Sequence, residues 1–181
     1  MASQRLANKM RPKNFSEYMG NSIRDVLTKR MSKQESYPHT VLLYGERGCG
    51  KTTAARLLAK EYECINKREH PEKYTCACGI CDACMEIDEK LIDGSASSDT
   101  SWTGVVELDI AKESNKSAID QALEDAKQPP MYPLQYKILI LDECHMATKQ
   151  AQNSLLKITE EPPEHLVIIF CTTDPDKLLT T

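Results

Sequence analysis

The chain has 181 residues, with 23 Lys+Arg against 27 Asp+Glu and a formal net charge of -4, enough for one ordinary core plus a small appendage. With 40% hydrophobic and 28% charged residues it is globular in composition, and its acidic balance excludes a generally basic nucleic-acid binder. No apolar run approaches the ~20 residues of a membrane span, and MASQRLANKM lacks a signal peptide's apolar region, so a soluble, cytoplasmic protein with no membrane partner is expected.

Residues 1–20 are polar and basic, with a short cluster at Lys9, Arg11 and Lys13. Arg11-Pro12 breaks any helix there, and Phe15 and Tyr18 are the expected anchors. Apolar residues at Ile23, Val26, Leu27 and Met31 predict a helix over 21–32. Val41-Leu42-Leu43-Tyr44 reads as a buried parallel strand feeding a glycine-rich turn, and a helix is expected over 53–62. Residues 64–84 form a cysteine-rich excursion that leaves through a short helix over 85–92, and DGSASSDTSWTG at 93–104 reads as an exposed loop. A second strand is expected at 105–109, and a helix over 117–127 is ended by Pro129-Pro130. The third strand, 137–141, runs into Asp142-Glu143, and a helix over 148–161 stops at Pro162-Pro163. The fourth strand, 166–171, leads into Thr172-Thr173-Asp174-Pro175. Continuous apolar strands alternating with helices are the signature of a parallel sheet covered on both faces, an α/β fold.

Gly45-Glu46-Arg47-Gly48-Cys49-Gly50-Lys51-Thr52 fits G-x-x-x-x-G-K-[ST] between a strand and a helix. Glycines let successive backbone N–H groups turn inward around a phosphate, and the helix adds the partial positive charge of its N-terminus. In that pattern Lys51 is the point charge for the β- and γ-phosphates, Thr52 a magnesium ligand, and Cys49 contributes its backbone. Asp142 and Glu143 close an apolar strand at its carboxyl end, where open α/β sheets present ligands. One carboxylate can share magnesium with Thr52 while the other polarises a water for in-line attack. Thr173, beside the next strand's end, is expected to sense or position that water.

Eight cysteines without a signal peptide disfavour a secreted disulfide framework. Cys78-x2-Cys81-x2-Cys84 repeats the tight turn by which two thiolates grip one tetrahedral ion. The fourth ligand lies among Cys64, Cys76 and His70; Cys64, at the end of the helix after the loop, is better placed than Cys76, one residue from Cys78. A closed four-ligand site is structural, with an iron–sulfur cluster as the alternative metal and dithiol redox chemistry less favoured.

Together these motifs resemble a known family. RPKNF (11–15) followed by Gly20, GERGCGKT, CGICDAC, VVELD, KILILDECH, NSLLKITEEPPEH (153–165) and CTTDPDKL are similar to the gamma/tau ATPase subunit of the bacterial DNA polymerase III clamp loader, an AAA+ family. The resemblance implies a P-loop NTPase (AAA+) parallel sheet flanked by helices, with a small zinc-binding insertion at 64–84 inside an ATPase core spanning 1–181. It implies ATP-driven opening of a ring-shaped sliding clamp and its loading on primer–template DNA, with ATP, Mg2+ and Zn2+ as cofactors and other clamp-loader subunits as partners. Carried over by motif, Gly45 to Thr52 hold ATP, Lys51, Asp142, Glu143 and Thr173 serve hydrolysis, and Thr52 and Asp142 serve magnesium. Cys64, Cys78, Cys81 and Cys84 match the zinc ligands, and Arg11 and Met19 fall where the family packs on adenine. The family is grouped with DNA-directed DNA polymerase, a nucleotidyltransferase, although no polymerase active site is present in this sequence. The extra Cys76 and the Ser-rich loop 93–104 depart from the family pattern, and its Ser-Arg-Cys motif, helical lid and collar are expected beyond Thr181. A fragment of this kind is expected to bind nucleotide weakly and to hydrolyse it poorly by itself. The competing readings are a non-hydrolysing, stator-like loader subunit, against which intact Lys51, Thr52, Asp142 and Glu143 argue, and a small-molecule phosphotransferase, which lacks an acceptor pocket in the sequence.

Overall fold

The four apolar runs become four parallel strands because each has two faces to bury. In a computed structural model, which describes residues 11–18, 38–74, 76–92, 104–112 and 116–178, they are β1 (Thr40–Tyr44), β2 (Val105–Asp109), β3 (Lys137–Asp142) and β4 (Leu166–Thr172). The sheet order is β1-β4-β3-β2, all parallel, with Leu43 opposite Cys171, Ile138 opposite Val167 and Asp109 opposite Asp142. Parallel neighbours need crossovers, and the helices supply them: α1 (Lys51–Glu63), α2 (Ile65–Glu69), α3 (Asp82–Ile87), α4 (Lys116–Ala126) and α5 (Lys149–Glu160). The helix expected over 21–32, Lys9, Met19 and nearly all of the loop 93–104 lie outside the described residues.

Alternate residues of each strand face opposite layers, which is why both parities are apolar. On one face Leu43, Ile138, Ile140, Val167, Ile169 and Cys171 pack against Ala54, Ala55, Leu57 and Leu58 of α1, with Phe15 and Tyr18 alongside. On the other, Leu139, Leu141, Leu166 and Ile168 pack against Ile119 and Leu123 of α4 and Ala151 and Leu155 of α5. A third, smaller cluster joins Cys64, Ala77, Cys81, Ala83 and Cys84 to Leu134. Thr148 caps α5, its hydroxyl accepting from the Ala151 amide at 3.3 Å, and Pro162-Pro163 follows its end.

The helix expected to start at Met85 starts at Asp82 and ends at Ile87, and a π-helical turn runs on through Asp88–Ile92. The physical reason is spacing: with Cys81 as N-cap and the helix starting at Asp82, Cys81 and Cys84 fall on one side, and Asp82 suits a first turn. The excursion also contains α2, absent from the sequence reading, nucleated by Cys64, whose Sγ accepts from the Lys67 amide at 3.4 Å. Glu61 of α1 ties this excursion to the core, accepting from the Ala77 amide at 2.8 Å and from Lys67 Nζ at 2.6 Å. Lys60, fully buried, reaches both carboxylate oxygens of Asp88, at 2.7 and 2.9 Å, and the Lys13 carbonyl at 2.6 Å.

Candidate functional site

At the carboxyl end of the sheet the chain turns through Gly45, Gly48 and Gly50, with φ of 152°, 83° and 95°. Such angles are costly for side-chain-bearing residues and routine for glycine. The loop is tied to the sheet by the Gly45 amide, which donates to the Thr172 carbonyl at 3.3 Å, and to itself by Cys49 N–H to the Glu46 carbonyl at 3.3 Å. Gly50 precedes α1 directly, its carbonyl accepting from Ala54 at 2.8 Å. Lys51 is only 7% exposed, and its ammonium donates to the carbonyls of Gly45 at 3.0 Å and Glu46 at 2.9 Å, with Cys49 Sγ at 4.0 Å. Glu46, Arg47, Gly48 and Cys49 are exposed.

Thr52 Oγ1 donates to Asp142 Oδ2 at 2.8 Å, joining the start of α1 to the end of β3. Asp142 Oδ1 accepts from the Glu143 amide at 3.1 Å. Glu143 is left-handed, φ 51° and ψ 42°, the one non-glycine with positive φ among the described residues. That turn carries its carboxylate to Thr173, whose hydroxyl donates to Oε2 at 3.3 Å; His145 Nδ1 lies 3.5 Å from the same oxygen. His145 Nδ1 also sits 3.0 Å from Thr172 Oγ1, which accepts from the Asp174 amide at 3.0 Å. Strand β4 extends through Thr172, one residue further than expected, which makes Thr173 the first residue beyond it. Lys51, Thr52, Asp142, Glu143 and Thr173 are thus drawn to one end of one sheet. Arg11 lies beside Arg56 and Glu107, which form a bidentate pair at 2.7 and 2.6 Å. Burial lowers the Arg11 pKa first, and Arg56 lowers it further, against an opposing pull from Glu107.

Two other signals come from the buried cysteines beneath the site. Burial pushes the Cys144 thiol up to about 12 and raises Cys171 as well, which makes both inert. His145 and Thr172 carry no role expected from the sequence, and Tyr18, expected only as an anchor, reaches the loop with its hydroxyl. His145 alone carried a local signal, standing two residues after the acidic pair.

At the far end of α1 the Sγ atoms of Cys64, Cys78, Cys81 and Cys84 all lie within 4.8 Å of one another. Tetrahedral zinc with bonds of ~2.3 Å places its sulfurs about 3.8 Å apart, inside the 4.8 Å that bounds this group. Cys76 and His70 are outside this group of four. Backbone donors already point at the sulfurs: Cys78 N–H to Cys64 Sγ at 3.2 Å, and the Ile80 and Cys81 amides to Cys78 Sγ at 3.4 and 3.3 Å. Asn66 Nδ2 adds a fourth contact, 3.4 Å from Cys78 Sγ. Hydrogen bonds from Cys64 and Cys84 hold the Cys81 thiol pKa down; the contact with Cys81 pushes Cys64 up to about 11, against a lowering from Cys84, and contacts with Cys64 and Cys81 raise Cys84. Four crowded thiols cannot all ionise without a cation among them, and the donor set is that of a thiophilic metal.

The family model described as DNA polymerase III, delta subunit, matches residues 21–181. A DNA polymerase III subunit gamma/tau of Mycobacterium bovis is 36% identical over 179 residues, 97% of this chain and 28% of the relative. The subunit tau of Escherichia coli is 33% identical over 183 residues, covering the whole chain and 26% of the relative. The chain belongs to the family of that DNA polymerase III subunit model, and these relatives are gamma/tau subunits. It spans about a quarter of the length of these relatives. Among solved structures, a DNA polymerase III gamma subunit-related protein of Thermotoga maritima matches with a TM-score of 0.50 and 20% identity, over 86% of this chain and 40% of that one. A RuvB variant from the same organism matches with a TM-score of 0.55 and 16% identity, over 94% of this chain and 44% of that one. These likenesses show the fold, a parallel sheet flanked by helices. Nucleotidyl transfer has no support from the fold or from these relatives. No helix among its described residues is long and apolar enough to cross a membrane.

Proposed function

We propose that the chain is the nucleotide-binding core of a clamp-loader ATPase subunit, working in the cytoplasm with other loader subunits to place a sliding clamp on primer–template DNA. The observation that carries this is the 2.8 Å contact between Thr52 and Asp142, which assembles a hydroxyl and a carboxylate from two distant segments beside the glycine loop. That oxygen pair suits Mg2+, which takes one or two protein oxygens and completes its octahedron with phosphates and water. When bound, magnesium neutralises developing charge on the phosphates. The loop amides and the N-terminus of α1 bind the phosphate chain, and Lys51 exchanges its carbonyl partners for phosphate oxygens. Glu143 is the base that orients and deprotonates the attacking water, and Thr173, donating to it, sets the direction of that carboxylate.

The four-cysteine group serves as a closed structural zinc site in this reading, binding the excursion 64–84 to the end of α1. A non-hydrolysing, stator-like subunit would not need the convergence of Lys51, Thr52, Asp142 and Glu143. The test is calorimetric ATP binding in the presence of magnesium for the wild type and Lys51→Ala. Loss of at least tenfold in affinity is expected, and equal affinity refutes the assignment.

A further inference from the structure

The phosphate loop is touched from outside by a residue far from it in sequence. Tyr18 is buried, and its hydroxyl lies 3.3 Å from the Gly50 carbonyl and 3.4 Å from that of Cys49. Building on the nucleotide-site reading above, we infer that Tyr18 is a positioning residue for the loop, setting the direction in which its last two peptide groups present their N–H groups to a polyphosphate.

The argument rests on peptide geometry. In a trans peptide the carbonyl and the following N–H point in opposite directions across a rigid plane. The Cys49 carbonyl belongs to the plane of the Gly50 amide, and the Gly50 carbonyl to that of the Lys51 amide. A donor holding both carbonyls on the outer side therefore holds both amides facing the other way, where an anion at the start of α1 is received. The Gly50 carbonyl also accepts from Ala54, so its peptide group is fixed from the helix as well. At 3.3–3.4 Å one hydroxyl hydrogen is shared between two acceptors, longer than an ordinary O–H···O contact.

Tyr18 is itself held firmly. Its ring meets Phe15 edge-on, with centroids 6.1 Å apart. A turn places it there: the Tyr18 amide donates to the Phe15 carbonyl at 3.3 Å, and the Glu17 amide to Asn14 Oδ1 at 3.1 Å. Two residues before Phe15, the Lys13 carbonyl is gripped by Lys60 of α1. Loop and tyrosine are fitted to each other, since a Cβ at Gly50 would come within 2.8 Å of the phenol oxygen. Burial, with a smaller contribution from Cys49, raises the phenol pKa, so the group remains a donor at neutral pH.

The test is Tyr18→Phe, which deletes the donor and keeps the ring against Phe15. Affinities for ATP, inorganic tripolyphosphate and adenosine are measured by competition, with Lys51→Ala as the companion variant. ATP and tripolyphosphate are expected to weaken together by about three- to tenfold, the worth of one ordinary hydrogen bond, with adenosine unchanged. Unchanged polyphosphate affinity overturns the inference. An equal loss for adenosine also overturns it, because general disruption or a contact to the base would then explain the result. If Lys51→Ala weakens ATP binding and Tyr18→Phe does not, only the role of Tyr18 falls; if Lys51→Ala binds as the wild type does, the nucleotide-site reading falls.

Discussion

Lys60 offers the sharpest test of what holds the two functional regions to one core. Its side chain has no exposure, and its ammonium satisfies both oxygens of Asp88 and the carbonyl of Lys13. Lys60→Met keeps most of the apolar stem and removes only the charge and its donors. Breaking a buried ion pair from one side costs about 3–5 kcal/mol, because the remaining charge loses its compensation in a poorly solvated place. The Asp88 side chain keeps 14% of its surface, and water reaching it reduces the expected loss to about 2–4 kcal/mol. For a chain of this size each kcal/mol lowers the melting temperature by about 2–4 °C, so a fall of roughly 4–16 °C is expected by calorimetry. The double variant Lys60→Met with Asp88→Leu, which removes both charges, should regain a substantial part of that loss. A single variant melting within 2 °C of the wild type, or a double variant no better than the single, would refute the electrostatic account (the 2 °C limit being about 0.5–1 kcal/mol on the same scale).

Two further outcomes follow from the cysteines. Metal analysis should find about one zinc ion per chain, and Cys81→Ser should lose it, with the excursion's protection from proteolysis lost in parallel; zinc retained in full by that variant counts against the site. Alkylation by iodoacetamide at pH 8 should reach exposed Cys49 first and leave Cys144 unmodified until the protein unfolds. Burial holds Cys144 near 12, so at pH 8 its thiolate fraction is on the order of one in ten thousand. ATP with magnesium should slow the Cys49 reaction, and rapid modification of Cys144 in the folded protein contradicts the burial argument.

Strand positions could be read from sequence because their signal is local: four apolar runs, each bounded by turn chemistry, appear within a residue or two of their expected ends. The glycine loop was equally readable, since its function depends on residue type at fixed spacing. The cysteine excursion was readable in composition and not in shape. Its helices α2 and α3 are too short for a periodic pattern; they start from Cys64, whose sulfur caps α2, and from Cys81 at the N-cap position of α3, both turning sulfur toward a common centre. The long-range contacts were beyond the reach of a sequence pattern. Lys60 and Tyr62 are both polar-ended residues on one helix; only the tertiary structure shows that the first takes Asp88 and the second donates to the Pro38 carbonyl at 2.7 Å.

Glu143 shows most clearly why site geometry outruns sequence pattern. Nothing in KILILDECH marks one residue as left-handed, and for a residue with a Cβ that conformation costs about 1–2 kcal/mol. A glycine at that position would relieve the backbone and lose the carboxylate. The extended alternative would keep the carboxylate and continue the strand, alternating its side chain away from that of Asp142. The left-handed turn ends β3 immediately after Asp142, and the chain enters the 3-10 turn Cys144–Met146. Two neighbouring carboxylates can then serve different partners, Asp142 meeting the Thr52 hydroxyl and Glu143 meeting Thr173 and His145. Strain held at such a position by surrounding contacts marks a functional constraint. Under the function proposed above, the contacts that hold it are the ones a water-activating carboxylate would require: a hydroxyl donor that fixes its direction and, one residue away, the carboxylate proposed for magnesium.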